Sequence, residues 1–228
     1  IAELHDEALF KQPPPEEDCP ICFLRMPCLV SARMYMSCCG KDICCGCNHA
    51  SKARDKKKRA SLCPFCRTPA SATAEELIQR YKKRIELNDA AAINDIGGFY
   101  HAGMHGLHQN YTKGMKLWHR SGDLGCAEAY FNIGLIYEYG RGVGIDKKKA
   151  EHYYELAAMG GDSKARHNLG NSEGRAGSWK RAIKHWSIAA GGGYSDSVKS
   201  IQQLYTNGHV PKDDYAKALR AYQAYLSE

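Results

Sequence analysis

The rhythm of apolar and polar positions changes at about Pro69. Beyond it, Leu77, Ile78, Tyr81 and Ile85 fall on one face of a stretch whose other positions are mostly charged, the pattern of an amphipathic helix. Thr73-Ala74-Glu75-Glu76 precedes it as a capping box, offering a hydroxyl to a first-turn amide and a carboxylate that reaches back. The pattern predicts a helix over about 74–87, ending near Asn88-Asp89, within a connecting segment of residues 71–88.

From residue 89 the apolar pattern repeats. Ile96-Gly97, Ile133-Gly134 and Leu169-Gly170 recur at intervals of 37 and 36 residues, and Trp118, Tyr154, Trp186 and Tyr222 at 36, 32 and 36. A period in this range predicts stacked helix pairs, because no single pair can bury its own apolar stripe. Ala129 and Gly134 are small where two helices should approach, Ile133 and Tyr137 supply bulk on the same face, and Ala157-Ala158 let the second helix lie against a neighbour. Pairs are expected near 89–125, 126–161, 162–194 and 195–228. The third is shortened before Trp179, and in the fourth Gln202 replaces the small glycine.

These residues resemble Sel-1-like repeats, relatives of the tetratricopeptide repeat, over about 89–228. The resemblance implies a right-handed α-solenoid of about four helix pairs that binds a protein substrate or adaptor. Asn132 and Asn168 precede the Ile-Gly and Leu-Gly pairs, where their amides could hold a partner's backbone or satisfy groups inside the repeat. The tyrosines, tryptophans and alanines are read as core.

The first third of the chain has a different texture, set by cysteine. Ten of the eleven cysteines lie before residue 67, and eight form close pairs: Cys19/Cys22, Cys38/Cys39, Cys44/Cys47 and Cys63/Cys66. A C-x-x-C turn brings two sulfurs to one point, and tetrahedral Zn²⁺ takes four thiolates at about 2.3 Å, so eight paired ligands predict two structural zinc ions. A secreted disulfide scaffold would spread its bridges through the fold, and nothing here looks like a signal peptide. Cys28, Cys45 and Cys126 are left as spare or buried thiols.

The order of the pairs resembles a RING finger over roughly residues 17–70, ending in Cys63-Pro64-Phe65-Cys66-Arg67. The expected architecture is therefore mostly α: a small α+β cross-brace module at 19–70, followed by the solenoid. The resemblance implies alternating ligation, with Cys19, Cys22, Cys44 and Cys47 on the first zinc and Cys38, Cys39, Cys63 and Cys66 on the second. Where most members read Cys-Gly-His, this chain reads Cys39-Gly40-Lys41, and a protonated lysine cannot bind zinc. Using both Cys38 and Cys39 solves this; the alternative recruits His49 or Cys45.

Composition narrows the remaining classes. The net charge of +7 is partly concentrated in Lys52–Arg59, a run without an aromatic platform for stacking bases, so nucleic acid is not an expected partner. No apolar run approaches the roughly eighteen residues of a membrane span. Unbridged cysteines suit a reducing compartment, cytoplasmic or nuclear. What precedes Ile1 is open. Residues 1–18, containing Pro13-Pro14-Pro15, are expected as a tail or linker. His101, His105 and His108 have ligand-like spacing but are interrupted by Gly103 and Gly106; Gly191-Gly192-Gly193 reads as a helix exit.

The combination implies a RING-type ubiquitin ligase whose repeats bind a protein. In that family Ile21 and Pro64 match positions that touch a ubiquitin-conjugating enzyme. Arg67 matches the residue that bonds both ubiquitin and its carrier, where a planar fork can serve two acceptors. Many active members also place a large apolar residue about four positions after the sixth ligand. Here that neighbourhood is Asn48-His49-Ala50-Ser51, small and polar. The alternative is a non-enzymatic, zinc-dependent interaction scaffold.

Overall fold

The structure, a computed structural model, describes residues 2–12, 17–26, 33–55 and 62–227. The proline run at 13–15, Cys28 and the lysines and arginine of 56–59 lie outside the described residues. Eleven helices and one two-stranded sheet are formed among those described. The chain divides into two units, one of residues 16–129 and one that joins 1–15 to 130–228.

In the unit of residues 16–129, strands β1 (Arg33–Met36) and β2 (Lys41–Cys44) pair antiparallel, with Met34 opposite Ile43 and Tyr35 opposite Asp42. The turn between them needs Gly40, whose φ of 71° lies in the left-handed region. Helix α2 (Cys45–Asp55) follows directly, and Cys19, Met26 and Ile43 form the small buried centre of this cysteine module.

Helix α3 (Ala74–Glu86) starts where the capping residues predict, the Thr73 side chain accepting from the Glu76 amide at 3.1 Å. The Glu76 carboxylate reaches back one residue further than in a standard capping box, to the Ala72 amide at 2.9 Å. Ile78 and Tyr81 of α3 bury against Ala92 and Ile96 of α4 (Ala90–Ala102). Helix α5 (Tyr111–Asp123) completes the first pair.

The second unit carries α6 (Ala127–Tyr139, which begins in the first), α7 (Lys147–Met159), α8 (Ser163–Arg175), α9 (Trp179–Gly191), α10 (Ser195–Thr206) and α11 (Lys212–Ser227). No strand lies beyond residue 90 among the described residues. The recurring glycine and aromatic prove to be packing partners. A Cβ on Gly97 would stand 2.8 Å from the Trp118 ring, one on Gly134 2.5 Å from Tyr154, and one on Gly170 2.5 Å from Trp186. Each glycine lets the second helix lay an aromatic ring across the first. Trp118 Nε1 then donates to Asn94 O at 3.0 Å and Trp186 Nε1 to His167 O at 3.2 Å, so neither buried indole loses its hydrogen bond. Tyr154 is the buried aromatic of its repeat, while Tyr137 is only half-buried, stacked on Tyr153 at 5.8 Å.

Residues 2–10 depart from the expected tail. They form helix α1 (Ala2–Phe10), seated on the repeats of its unit with Leu9 1% exposed among Phe131, Tyr154, Ala158 and Leu169. The physical reason is tertiary: a nine-residue helix is marginal in water and persists where an apolar side chain can be buried.

Candidate metal centre

Both Cys-Pro-x-Cys turns adopt one backbone conformation. The Cys19 amide donates to Leu24 O at 2.8 Å and the Phe23 amide to Cys19 O at 2.8 Å; the equivalent bonds run from Cys63 to Thr68 O at 2.9 Å and from Arg67 to Cys63 O at 3.0 Å. The residue after each second cysteine has positive φ, 58° at Phe23 and 61° at Arg67. A side chain there is uncommon and costs strain, so each turn must be held by what surrounds it. Isolated bridges between Asp18 and Arg25 and between Leu62 and Pro69 close the two turns at their bases.

These turns, with the hairpin and the start of α2, gather eight sulfurs into two quartets. Cys19, Cys22, Cys44 and Cys47 form one; Cys38, Cys39, Cys63 and Cys66 form the other, the sulfurs of each lying within 4.8 Å of one another. Cys22 and Cys44 sulfurs are 3.8 Å apart, Cys39 and Cys63 3.7 Å, and Cys38 and Cys66 3.4 Å. Four thiolates around an ion at about 2.3 Å stand about 3.8 Å apart, so both quartets have the size and donor chemistry of a tetrahedral metal site. The pairs interleave along the chain, first with third and second with fourth. Both members of the Cys38-Cys39 doublet take part, whereas Cys45 and the exposed His49 join neither quartet.

The thiols of each quartet cannot all ionise alone. Burial opposes the Cys19 thiolate, yet amides of Cys44, Cys22 and Ile21 directed at its sulfur prevail and draw it down to about 6. Burial and the neighbouring sulfurs push Cys47 up to about 12. In the second quartet the Thr68 hydroxyl and amide draw Cys66 down to about 6, while burial and the other thiols push Cys38 and Cys39 up. One thiolate forms at the expense of its neighbours, a conflict that a divalent cation among them removes.

The module is tied to the helix beneath it. The Tyr35 hydroxyl donates to Asp89 Oδ2 at 2.6 Å, and Arg84 Nε and Nη2 donate to the same oxygen at 2.8 and 2.6 Å. A Cβ on Gly40 would collide with the Arg84 guanidinium, so the hairpin turn also rests on this group. Burial works against ionised Asp89, but Tyr35, Arg84 and the Ala92 amide hold its carboxyl below the usual range. Nearby, burial raises Asp95 to about 6 despite a bond from the Tyr81 hydroxyl, with Asp42 and Asp89 adding repulsion. Sequence reasoning missed Tyr35, Arg84 and Asp89 as an anchor; only the capping position of Asp89, just ahead of α4, carried a local signal.

The other predicted residues are placed as follows. Ile21 is exposed on the first turn, beside the more exposed Phe23 and Leu24, which the sequence reading did not single out. Pro64 is half-buried and Arg67 exposed on the second. The α2 positions Asn48 to Ser51 offer no large apolar side chain. Asn132 is half-buried on α6, and Asn168 hydrogen-bonds the hydroxyl of Tyr154, which itself donates to Glu138 at 2.5 Å. Of the predicted histidines, His101 packs on Trp118 and His105 on Phe99, and none belongs to a metal-capable cluster among the described residues. The Gly191-Gly192-Gly193 run is the end of α9.

Helices paired by a glycine and an aromatic define a repeat protein, and comparison with known proteins gives the repeat its name. The Sel1 repeat model matches residues 90–126, 127–162 and 203–222, so the chain carries Sel1 repeats in a mostly helical, solenoid-like fold. Residues 163–202 lie outside those matches, although Gly170 and Trp186 preserve the pairing there.

The chain is similar to a Sel1 repeat protein from Oxalobacter formigenes, with 28% identity and a TM-score of 0.57 over 67% of this chain and 64% of that one. It also shares its fold with a protective antigen of uropathogenic Escherichia coli displaying an SLR fold, at 21% identity and a TM-score of 0.59 over 69% of this chain and 35% of the other. Among curated proteins it resembles the ERAD-associated E3 ubiquitin-protein ligase component HRD3B of Arabidopsis thaliana, 31% identical over 114 residues. That match covers 49% of this chain and only 17% of the relative. No helix of the described residues is long and apolar enough to cross a membrane.

Proposed function

We propose that this protein is a RING-type ubiquitin ligase, or a subunit of one, in which the cysteine module positions a ubiquitin-loaded conjugating enzyme and the Sel1 repeats bind a protein partner. The observation that carries the reading is the pair of interleaved cysteine quartets, each sized for a tetrahedral ion. Cys19, Cys22, Cys44 and Cys47 would hold one Zn²⁺, and Cys38, Cys39, Cys63 and Cys66 the other. Zinc bound there supplies no chemistry beyond fixing the two turns and the hairpin. An ERAD ligase component among the relatives supports a place in the ubiquitin pathway for the repeat region.

The chain's residues act by positioning. Ile21, with exposed Phe23 and Leu24 on the same turn, offers apolar surface to the conjugating enzyme, and Pro64 of the matching turn adds to it. Exposed Arg67, just after the last cysteine, would donate through its planar fork to ubiquitin and its carrier together. Holding a thioester in one reactive pose is an entropic contribution to rate and needs no nucleophile from this protein. Cytoplasm or nucleus suits unbridged thiols.

A second reading is favoured by the small, polar positions Asn48 to Ser51: a zinc-dependent scaffold that binds proteins without promoting transfer. Discharge of ubiquitin from a panel of loaded conjugating enzymes separates the two. Under the ligase reading, Arg67→Ala keeps binding of the uncharged enzyme but slows discharge, whereas Ile21→Ala weakens binding itself. No discharge across the panel, or wild-type rates in both variants, leaves the scaffold.

A further inference from the structure

Helix α1 sits on three repeat helices through a set of interactions that reads like recognition. Leu9 is fully enclosed, Phe10 lies 4.6 Å from the ring of His185, and the Arg181 and Lys184 cations stand over its face at 5.2 and 5.0 Å. Arg181 donates to Asp6 Oδ2 at 2.6 Å, and His5 faces Glu155 at 3.4 Å. Arg166, itself 1% exposed, donates to Leu9 O at 2.6 Å and to Lys11 O at 3.1 Å.

We propose that this seat on α7, α8 and α9 is a receptor for a short acidic amphipathic helix of a partner protein, and that α1 is its tethered stand-in. The proposal rests on the reading of the repeats as a protein-binding surface and is independent of ligase activity.

Four observations carry it. First, charge is complementary where the two meet: Asp6 of α1 faces Arg181, which Glu173 holds from its other side, His5 faces Glu155, and the Arg181 and Lys184 cations stand over Phe10. Second, Arg166 reads main-chain carbonyls at the end of a helix, where they lack intrahelical donors and carry the negative end of the dipole. Any helix ending at that level satisfies it.

Third, the side chains that are read, Asp6, Leu9 and Phe10, have the i, i+3, i+4 spacing of helix-in-groove recognition. The motif is therefore an acidic residue, two free positions, leucine and an aromatic. Fourth, α1 leaves the seat incomplete: Arg166 Nε and His185 Nδ1 are buried with no hydrogen-bond partner among the described residues. A partner helix with a carboxylate or amide at that level completes the floor, which gives it an advantage over α1.

The test uses the full chain and a fluorescent peptide of residues 1–12. Leu9→Ala with Phe10→Ala frees the tethered helix without burying a charge. Fluorescence anisotropy is expected to show the peptide binding this double variant at least about tenfold more tightly than wild type, where the tethered copy competes at high effective concentration. Adding Arg181→Glu should weaken that binding, and a peptide carrying Asp6→Lys should restore it.

Equal affinity for wild type and double variant overturns the proposal. So does a loss of helical circular dichroism in the double variant larger than the nine residues of α1 account for, since unfolding of the repeat helices with it makes α1 a permanent strut. A wild-type dimer with exchanged α1 overturns it in favour of a second copy as occupant. None of these readouts involves ubiquitin, so failure here and failure of the ligase reading are distinguishable.

Discussion

Tyr35 and Asp89, 54 residues apart, are joined by a 2.6 Å hydrogen bond that ties the hairpin of the cysteine module to the start of the repeats. The carboxylate is fully used, since Arg84 shares Oδ2 and the Ala92 amide donates to Oδ1 at 3.2 Å, capping α4. One acidic side chain thus starts a helix, neutralises an arginine and holds the module in place.

Removing the hydroxyl tests this junction. Tyr35→Phe is expected to lower stability by about 1.5–3 kcal/mol, the range for a hydrogen bond to a charged group. Asp89→Ala should cost more, because the α4 cap is lost with it. Denaturant unfolding measures both. Hydrogen exchange in Tyr35→Phe should quicken at the hairpin amides and stay unchanged in α10 and α11.

Metal content tests the quartets. Freshly purified protein should contain two zinc ions, with Cys38→Ser and Cys39→Ser each losing the second and His49→Ala keeping both. Structural zinc contributes on the order of 10–16 kcal/mol in small finger peptides. Chelation should therefore unfold the cysteine module while the repeat helices keep their circular dichroism. Metal analysis with zero or one ion in wild type refutes the arrangement.

The glycine and aromatic pairs make a prediction with an internal control. Gly134→Ala and Gly170→Ala place a methyl against the Tyr154 and Trp186 rings and should destabilise by about 1–3 kcal/mol. Gly98→Ala, in the same kind of helix with nothing within 4 Å of the new methyl, should stabilise by about 0.5–1 kcal/mol. Thermal or urea melts of the three variants decide it.

Asp95 provides a pH dependence whose sign is opposite to that of a salt-bridged carboxylate. Its folded pKa is raised to about 6 from 3.8, so between those values the native state holds a proton that the unfolded state has released. Stability is lost as pH rises through this window, and the penalty is complete above about 6. Asp95→Asn removes the titration and should be the more stable protein at pH 8. The gap between variant and wild type should widen by about 1–1.5 kcal/mol between pH 5 and pH 8. A gap independent of pH contradicts the buried carboxylate.

Much of this was legible in local pattern. The capped helix at 74–86, the helix pairs and the glycine exit of α9 follow from spacing and capping chemistry, which act within a few residues. The eight cysteines could be selected because paired sulfurs have few other uses. Sequence favoured Cys38, as half of the doublet, but did not exclude His49 or Cys45. That choice depends on where a hairpin turn and the first turn of α2 direct their side chains, and the structure places Cys38 in the quartet.

Residues that act at long range were not legible. Tyr35 looks like any strand tyrosine, and Arg166 like any exposed helix arginine, until the fold sets one against Asp89 and buries the other beneath α1. Residues 2–10 read as a tail because they lead into the proline run Pro13-Pro14-Pro15; the polar partners that seat them as a helix lie 150 to 175 positions away, from Glu155 facing His5 to Arg181 facing Asp6. Asn168 faced two uses in sequence, and its place beside Tyr154 shows one of them inside the repeat. Sequence alone determined the periodic elements and the paired ligands, since both are written in short-range spacing. The tertiary structure decided which distant groups meet, because burial and charge pairing are settled only when separate segments pack.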